Sequence, residues 1–243
     1  MRFLGVDLAW RSQPSGVCCL EYRESGLYLV ALHRLDHRDQ VLGWVDALAP
    51  SPTPALVAVD APTIVTNQQG MRPCDRLCHQ YFGKYDAGAY PANLASPFIG
   101  NTLAFAEELL ARGFSYGADL VPQREGRWQI EVFPHPATVH LFGLSKILKY
   151  KKGKLGDRQG QLALLARLLL EQLPLANTEP LQSMYHDLQN GKISGKVLKA
   201  YEDQLDSVLC AFVAYHWWRW GRAKNLVLGD QTTGFIVVPT ASP

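Results

Sequence analysis

Three acidic residues lie within the most apolar strand-like segments of the sequence. Asp7 lies near the start of the chain, Asp60 directly follows the run Ala55-Leu56-Val57-Ala58-Val59, and Glu131 lies within Trp128–Phe133. Acidic residues are disfavoured in strands, and burying an unpaired carboxylate costs free energy. Their placement therefore indicates a common function for the three carboxylates.

Two further acids lie on a predicted long helix that covers 196–222. Asp203 and Asp206 are three residues apart, which places their Cβ atoms on nearly the same side of a helix, about 5–6 Å apart. The apolar residues that follow Asp206 at helical spacing put this side chain on or beside the buried face. Glu202 is expected to face solvent instead.

Convergence of these carboxylates in one pocket would require bound cations. Two carboxylates about 4 Å apart repel by roughly 4 kcal/mol at an effective dielectric constant near 20. A cluster of four would cost on the order of 10 kcal/mol, against a typical domain stability of about 5–15 kcal/mol. Hard divalent ions prefer oxygen ligands, and two of them about 3.5–4 Å apart can promote phosphodiester hydrolysis. The acids therefore predict a site for Mg²⁺ or Mn²⁺, with two ions.

Each acid taken alone also has a purely structural interpretation. Asp7 could accept a hydrogen bond from a loop, Asp60 could belong to a turn, and Glu131 could pair with an arginine. Asp203 and Asp206 could lie on a solvated helix face. The prediction of a metal site therefore depends on the whole set.

A basic cluster in the segment 146–158 could contact a phosphate backbone. Such contacts add salt-dependent affinity for nucleic acid. The candidates for substrate binding are Lys149, Lys151, Lys152, Lys154 and Arg158, with Arg72 as a second contact from elsewhere in the chain. The alternative is a solvated loop that binds no ligand.

The segments around the acids predict an α/β fold with a mixed sheet and helices on its faces. Three strands in succession open the chain, and the region 63–127 is predicted to be an insertion or cap between two core strands. The predicted strands cover 3–10, 16–22, 27–32, 55–59, 128–133, 225–228 and 234–238, and the main helices cover 37–48, 72–82, 101–112, 157–173 and 196–222.

The composition is that of a soluble globular protein with a sizeable core. The 243 residues are 47% hydrophobic and 19% charged, and we expect a single domain, 1–243. The net charge of +2 is too small for a non-specific nucleic-acid coat, and no apolar run approaches the roughly 18 residues of a membrane span. Five cysteines fit no secreted disulfide framework, and an acid at position 7 fits no secretory signal. We therefore expect a cytoplasmic protein.

Several short motifs occur in an order that resembles a known family. They are Gly5-Val6-Asp7-Leu8-Ala9, Val57-Ala58-Val59-Asp60-Ala61-Pro62, Ile130-Glu131-Val132-Phe133-Pro134, Asp203-x-x-Asp206-Ser207-x-x-x-Ala211 and Gly234-Phe235-Ile236-Val237-Val238-Pro239. Across nearly the whole chain, the sequence resembles the domain-of-unknown-function family 429, whose members are predicted to be nucleases of the ribonuclease H-like fold. One departure is Ser207, where the family often has alanine.

The resemblance implies a mixed five-stranded sheet flanked by helices, with the insertion between the fourth and fifth strands. Asp7 would lie on the first strand, Asp60 at the end of the fourth and Glu131 on the fifth. Asp203 and Asp206 would lie on a helix over the centre of the sheet. Holliday-junction resolvases of the same superfamily similarly gather acids from strands and a late helix.

These inferences predict a divalent-metal-dependent nuclease that hydrolyses phosphodiester bonds of nucleic acid by a two-metal mechanism. Asp7 would bridge the ions, and which of the α-helical acids ligates metal stays open. The predicted catalytic residues, which also ligate metal, are Asp7, Asp60, Glu131 and Asp206, with Asp203 as an alternative ligand. One alternative is a nucleic-acid-binding module without catalysis. Another is an ATP-binding phosphotransferase of the same superfamily, in which Gly5 and Gly16 would help to hold phosphates.

Overall fold

The computed structural model describes residues 1–9, 13–24 and 26–241. Its strands are β1 (Arg2–Asp7), β2 (Ser15–Arg23), β3 (Gly26–Leu35), β4 (Ala55–Val59), β5 (Ser115–Tyr116), β6 (Arg127–Glu131), β7 (Leu175–Ala176), β8 (Asn225–Asp230) and β9 (Gly234–Pro239). Its helices are α1 (Arg38–Leu48), α2 (Pro73–Phe82), α3 (Ile99–Ala111), α4 (Pro134–Leu141), α5 (Leu155–Gln172), α6 (Glu179–Asn190) and α7 (Gly195–Trp220). Residue 10, where the first strand is predicted to end, lies outside the described ranges. Within those ranges, no helix is both long enough and apolar enough to cross a membrane.

The main sheet has the ribonuclease H-like arrangement that the family resemblance implies. In the part of the chain that the structure describes, the strand order is β5-β6-β4-β1-β2-β3-β7. β1, β2 and β3 form an antiparallel meander, whereas β4 is parallel to β1 and β6 is parallel to β4. The expected five strands form the centre of the sheet. The two-residue strands β5 and β7, which the sequence did not predict, extend it at the edges.

Helices cover both faces of the sheet because β1 and β4 are apolar on both sides. Phe3 and Leu56 point into a core shared with α5 and α7, while Leu4 and Val57 point into a second core shared with α1 and α3. Continuous apolar runs are typical of strands that are buried on both faces. Side chains alternate between the two faces along each strand, and this alternation sets the direction of every acid on the sheet.

Two glycines allow α7 to lie directly on β1 and β2. A Cβ atom on Gly5 would overlap the backbone carbonyl of Ser207, and a Cβ atom on Gly16 would overlap that of Asp203. Only glycine permits two backbones to approach so closely. The contact brings the acids of α7 to the strand that carries Asp7. It also fills the space in which the phosphotransferase alternative would place nucleotide phosphates.

The segment between β4 and β6 contains α2, α3 and the edge strand β5. Its first helix packs on a hairpin formed by β8 and β9, which is a separate two-stranded sheet joined to the end of β6 by a bridge between Val132 and Val237. Cys74 and Cys78 of α2 lie in the core between the helix and the hairpin. This packing holds Arg72, the residue before α2, beside the end of β6.

Candidate functional site

Asp7 and Asp60 lie next to each other at the carboxyl ends of two parallel strands. Val6 pairs with Val59 across β1 and β4, and the backbone N–H of Asp60 donates to the carbonyl of Val6 at 2.8 Å. Neighbouring strands are about 4.8 Å apart, and the alternation along each strand turns both acids toward α7. Among the described residues, neither carboxylate has a hydrogen bond or an ion pair. We call Asp7 and Asp60 the strand-end pair.

Asp206 reaches the same region from α7, and both of its carboxylate oxygens are occupied. The hydroxyl of Tyr150 donates to Oδ1 at 2.7 Å, and the Nζ of Lys151 lies 2.8 Å from Oδ2. Asp206 is completely buried, and an isolated buried charge would be costly, so these partners are what stabilise it. Asp206 is therefore close to the strand-end pair but already neutralised by a cation of the protein.

Asp203 and Glu202 also have basic partners. Asp203 lies 2.8 Å from the Nε of Arg34 and 2.7 Å from the Nζ of Lys199. Glu202 lies 2.6 Å from the same lysine and 3.4 Å from a guanidinium nitrogen of Arg158. The prediction that Glu202 faces solvent is wrong, because Arg158 from α5 and Lys199 from the preceding helical turn cover it and leave it 3% exposed.

The electrostatic environment leaves the strand-end pair short of positive charge. Burial, together with the nearby carboxylates of Asp206, Asp60 and Asp203, raises the pKa of Asp7 well above its usual range. Burial, together with the charges of Asp206 and Glu131, raises the pKa of Asp60 to about 7. The ammonium of Lys151 opposes both shifts but does not cancel them. A bound cation would relieve this destabilisation.

Glu131 is on β6 but points away from the strand-end pair. It is paired with Val59, so it faces the side of the sheet that Val59 faces, while Asp60 faces α7. Its carboxylate accepts hydrogen bonds from Arg72 at 2.6 and 2.8 Å and from the backbone N–H of Thr63 at 3.0 Å. Glu131 and Asp60 still line one small pocket, but Arg72 and Thr63 take the oxygens of Glu131, so its carboxylate is not free as those of Asp7 and Asp60 are. Glu131 instead forms an ion pair with an arginine, which is the structural alternative that the sequence left open.

Arg72 does not fit its predicted role in substrate binding. It is 1% exposed, and its guanidinium is enclosed between Glu131 and Asp75, with an N–O distance of 2.8 Å to the latter. Asp75 is itself completely buried. Because both carboxylates occupy the donors of the guanidinium, Arg72 has no free face for a phosphate. Its contacts instead join α2 to the end of β6.

A pocket of about 670 Å³ opens over the strand-end pair. Three of the predicted substrate-binding residues, Lys149, Lys151 and Lys152, line its wall. The ring of Tyr90, which is 68% exposed, lines it as well, and the Nζ of Lys152 donates to the Tyr90 hydroxyl at 3.1 Å. The pocket thus combines an acidic floor with a basic and aromatic wall.

The remaining members of the basic cluster lie elsewhere. Arg158 donates from Nε to the backbone carbonyl of Tyr150 at 2.9 Å and is directed to Glu202, so it supports the loop rather than lining the pocket. Lys154 is the exposed residue before the first turn of α5. We therefore assign neither side chain to substrate binding.

Sequence reasoning did not assign several residues that shape the site. They are Arg34, Tyr90, His135, Tyr150 and Lys199. The sequence signals for these residues were that Tyr150 lies among the lysines of the basic cluster and that His135 lies near Glu131 in the chain. His135 lines the pocket, and burial together with the charge of Lys151 lowers its pKa to about 4, so its ring is neutral near pH 7.

The donor atoms of the strand-end pair fit a hard divalent cation. Carboxylate oxygens suit Mg²⁺ and Mn²⁺, and Mg²⁺ in particular is often held by one or two carboxylates while it keeps several waters. No group of three or more His, Cys, Asp or Glu side chains in the described ranges is arranged to hold a metal ion. The fit is therefore to an ion that is held by two carboxylates and by water.

We expect the protein to lose stability as the pH rises from about 4 to 7 when divalent ions are absent. The pKa of Asp60 is raised from 3.8 to about 7 by folding, so between these values the folded chain binds a proton that the unfolded chain has released. Stability therefore falls with rising pH in this window, by on the order of 4 kcal/mol for this group. Urea denaturation in EDTA across this range should show a smaller fall for Asp60→Asn than for the wild type.

A matched control for this measurement is Asp119→Asn, which removes a carboxylate whose side chain is 70% exposed. It should leave the pH dependence unchanged. Equal pH slopes for the wild type and Asp60→Asn would contradict the raised pKa of Asp60.

Solved structures similar to this chain include two resolvases. One is a Fowlpox virus resolvase in a complex with substrate Holliday junction DNA, with a TM-score of 0.34 and 13% identity, covering 89% of this chain and 95% of that chain. The other is T. thermophilus RuvC in complex with Holliday junction substrate, with a TM-score of 0.35 and 12% identity, covering 88% of this chain and 97% of that chain. No curated protein matches the sequence.

The sequence model of the family described as "Protein of unknown function (DUF429)" matches residues 5–232, and the chain therefore belongs to that family, as its motifs indicate.

Proposed function

We propose that the protein is a divalent-metal-dependent nuclease that hydrolyses phosphodiester bonds of nucleic acid. The observation that carries the proposal is the strand-end pair, two adjacent carboxylates with raised pKa values on the floor of a lysine-lined pocket. A floor that requires a cation and walls that attract anions together suit a phosphate that approaches a bound metal ion.

Each part of the pocket has a distinct task in this proposal. Asp7 and Asp60 hold Mg²⁺ or Mn²⁺ through their carboxylate oxygens. The bound ion supplies Lewis-acid polarisation of the phosphate and an activated water. Lys149 and Lys152 attract the phosphate backbone, and the exposed ring of Tyr90 offers a base a surface on which to stack. Hydrolysis joins a water oxygen to phosphorus and breaks one P–O ester bond, so it requires no protein nucleophile.

The site gives different support to the two alternative functions that the sequence left open. A binding module without catalysis would use the same lysines and the same aromatic ring, so only an activity measurement separates it from a nuclease. An ATP-dependent phosphotransferase has less support, because α7 covers the glycines that would hold the phosphates.

The proposal is tested by incubating the full chain with single-stranded DNA, duplex DNA, RNA, an RNA–DNA hybrid and a four-way junction. We expect cleavage of at least one substrate with Mn²⁺ or Mg²⁺ and none with EDTA. Mn²⁺ at a hundredfold excess over its Kd should also raise the Tm by roughly 5 °C or more. Binding of oligonucleotides without metal-dependent cleavage of any substrate would favour the non-catalytic module.

A further inference from the structure

Lys151 supplies a positive charge within the acidic site. Its Nζ is 2.8 Å from Oδ2 of Asp206, and its side chain is 32% exposed where it lines the pocket over the strand-end pair. The hydroxyl of Tyr150 occupies the other oxygen of Asp206 at 2.7 Å. A metal ion that bound Asp206 would have to share this carboxylate with the ammonium of Lys151 and the hydroxyl of Tyr150.

The loop that carries Lys151 is anchored at the two residues that precede it. The backbone N–H of Lys149 donates to the side chain of Gln161 at 3.2 Å, and Arg158 donates to the backbone carbonyl of Tyr150 at 2.9 Å. Tyr150 is 1% exposed, and its ring packs against that of His135 with 5.6 Å between the centroids. These contacts fix the backbone directly before Lys151, and its ion pair with Asp206 places the ammonium beside the acids.

The carboxylates that have no basic partner carry the charge expected of a site for a single divalent ion. Arg34 and Lys199 neutralise Asp203, and Lys151 neutralises Asp206. In the described part of the chain, the acids of the pocket left without a basic partner are Asp7 and Asp60. Two carboxylates match the charge of one divalent ion. A second ion would have to sit beside an ammonium group, which would repel it.

We propose that Lys151 takes the place of a second metal ion, so that the site binds one divalent cation, at Asp7 and Asp60. This inference rests on the proposed nuclease function and differs from the two-ion prediction made from the sequence. The contact between Lys151 and Asp206 is an ion pair, and an ammonium group has three N–H donors. Because Lys151 also lines the pocket, its N–H groups could donate to the oxygens of a phosphate there.

The test is the number of Mn²⁺ ions that bind the full chain without substrate, measured by calorimetry and by the loss of the free Mn²⁺ electron paramagnetic resonance signal. We expect one ion for the wild type. Lys151→Met removes the ammonium and frees Asp206, so we expect two. Lys152→Met is the matched control, since it removes a neighbouring lysine of the same wall that contacts Tyr90, and it should keep one ion.

Each outcome separates this inference from the proposed function. Two ions on the wild type would overturn the role of Lys151 and leave a metal-dependent nuclease in place, whereas no bound ion would overturn both. One ion on a folded Lys151→Met, as judged by circular dichroism, would also overturn the role of Lys151. If this variant does not fold, Lys151→Arg keeps the charge and should bind one ion, and two ions on that variant would contradict the inference.

Discussion

Replacing Asp7 with asparagine is expected to lower metal-dependent cleavage by about 10³-fold and to make the protein more stable. Asparagine keeps the size of the side chain but removes a negative charge that the ion needs. Charge stabilisation by a bound metal ion contributes several kcal/mol, and about 4 kcal/mol corresponds to a factor of about 10³ in rate. The same change removes a carboxylate whose pKa burial and three neighbouring acids raise, so the unfolding free energy should rise by about 1–2 kcal/mol in EDTA.

Opposite changes in activity and stability distinguish this role from a structural one. A carboxylate that merely stabilised the fold would lower both when replaced. The control Asp119→Asn, on an exposed acid that does not line the pocket, should change neither by a measurable amount. Cleavage by Asp7→Asn at the wild-type rate would exclude Asp7 from the reaction.

Replacing Arg72 with methionine is expected to destabilise the protein by about 3–5 kcal/mol. The change removes the guanidinium that pairs with two carboxylates, of which Asp75 is completely buried and Glu131 is 3% exposed. Removing one partner of a buried ion pair leaves an uncompensated charge, which is the costly case. For a chain of this length, the Tm should fall by roughly 10 °C, as calorimetry would show.

The control for this prediction is Arg76→Met, in which an exposed arginine of the same helix loses only a hydrogen bond to the carbonyl of Met71. It should change the unfolding free energy by less than about 0.5 kcal/mol. Glu131→Gln introduced together with Arg72→Met should recover part of the loss. If Glu131→Gln alone keeps its fold but abolishes Mn²⁺ binding, Glu131 is a metal ligand and the structural interpretation is wrong.

Local periodicity was sufficient to identify the elements that build the site. The continuous apolar run of β4 predicted a strand buried on both faces, and the apolar stripe of 196–222 predicted α7. The short edge strands β5 and β7 were not predicted, because two residues carry no periodic signal and pair only where a neighbouring strand is available.

Glu131 illustrates what periodicity could not provide. An acid within an apolar strand was recognised, but its direction depends on the register between β4 and β6, and a shift of one residue would have turned it to the other face. Arg72 was predicted to bind substrate because its contacts, too, depend on tertiary packing that periodicity does not show. Only the packing of α2 on the hairpin places it at the end of β6.

The order of the main strands and helices could be read from the amino-acid order, as could the placement of Asp7 in one apolar strand and of Asp60 directly after another, because these are properties of short segments. That β1 ends at Asp7, beside Asp60, was decided by the fold. The basic side chain that pairs with each acid could not be read from the sequence. Arg34 approaches Asp203 from β3, and Lys151 approaches Asp206 from a loop between α4 and α5. Such contacts join residues that are far apart in the chain, and register, helix packing and loop anchoring establish them only when the whole chain folds.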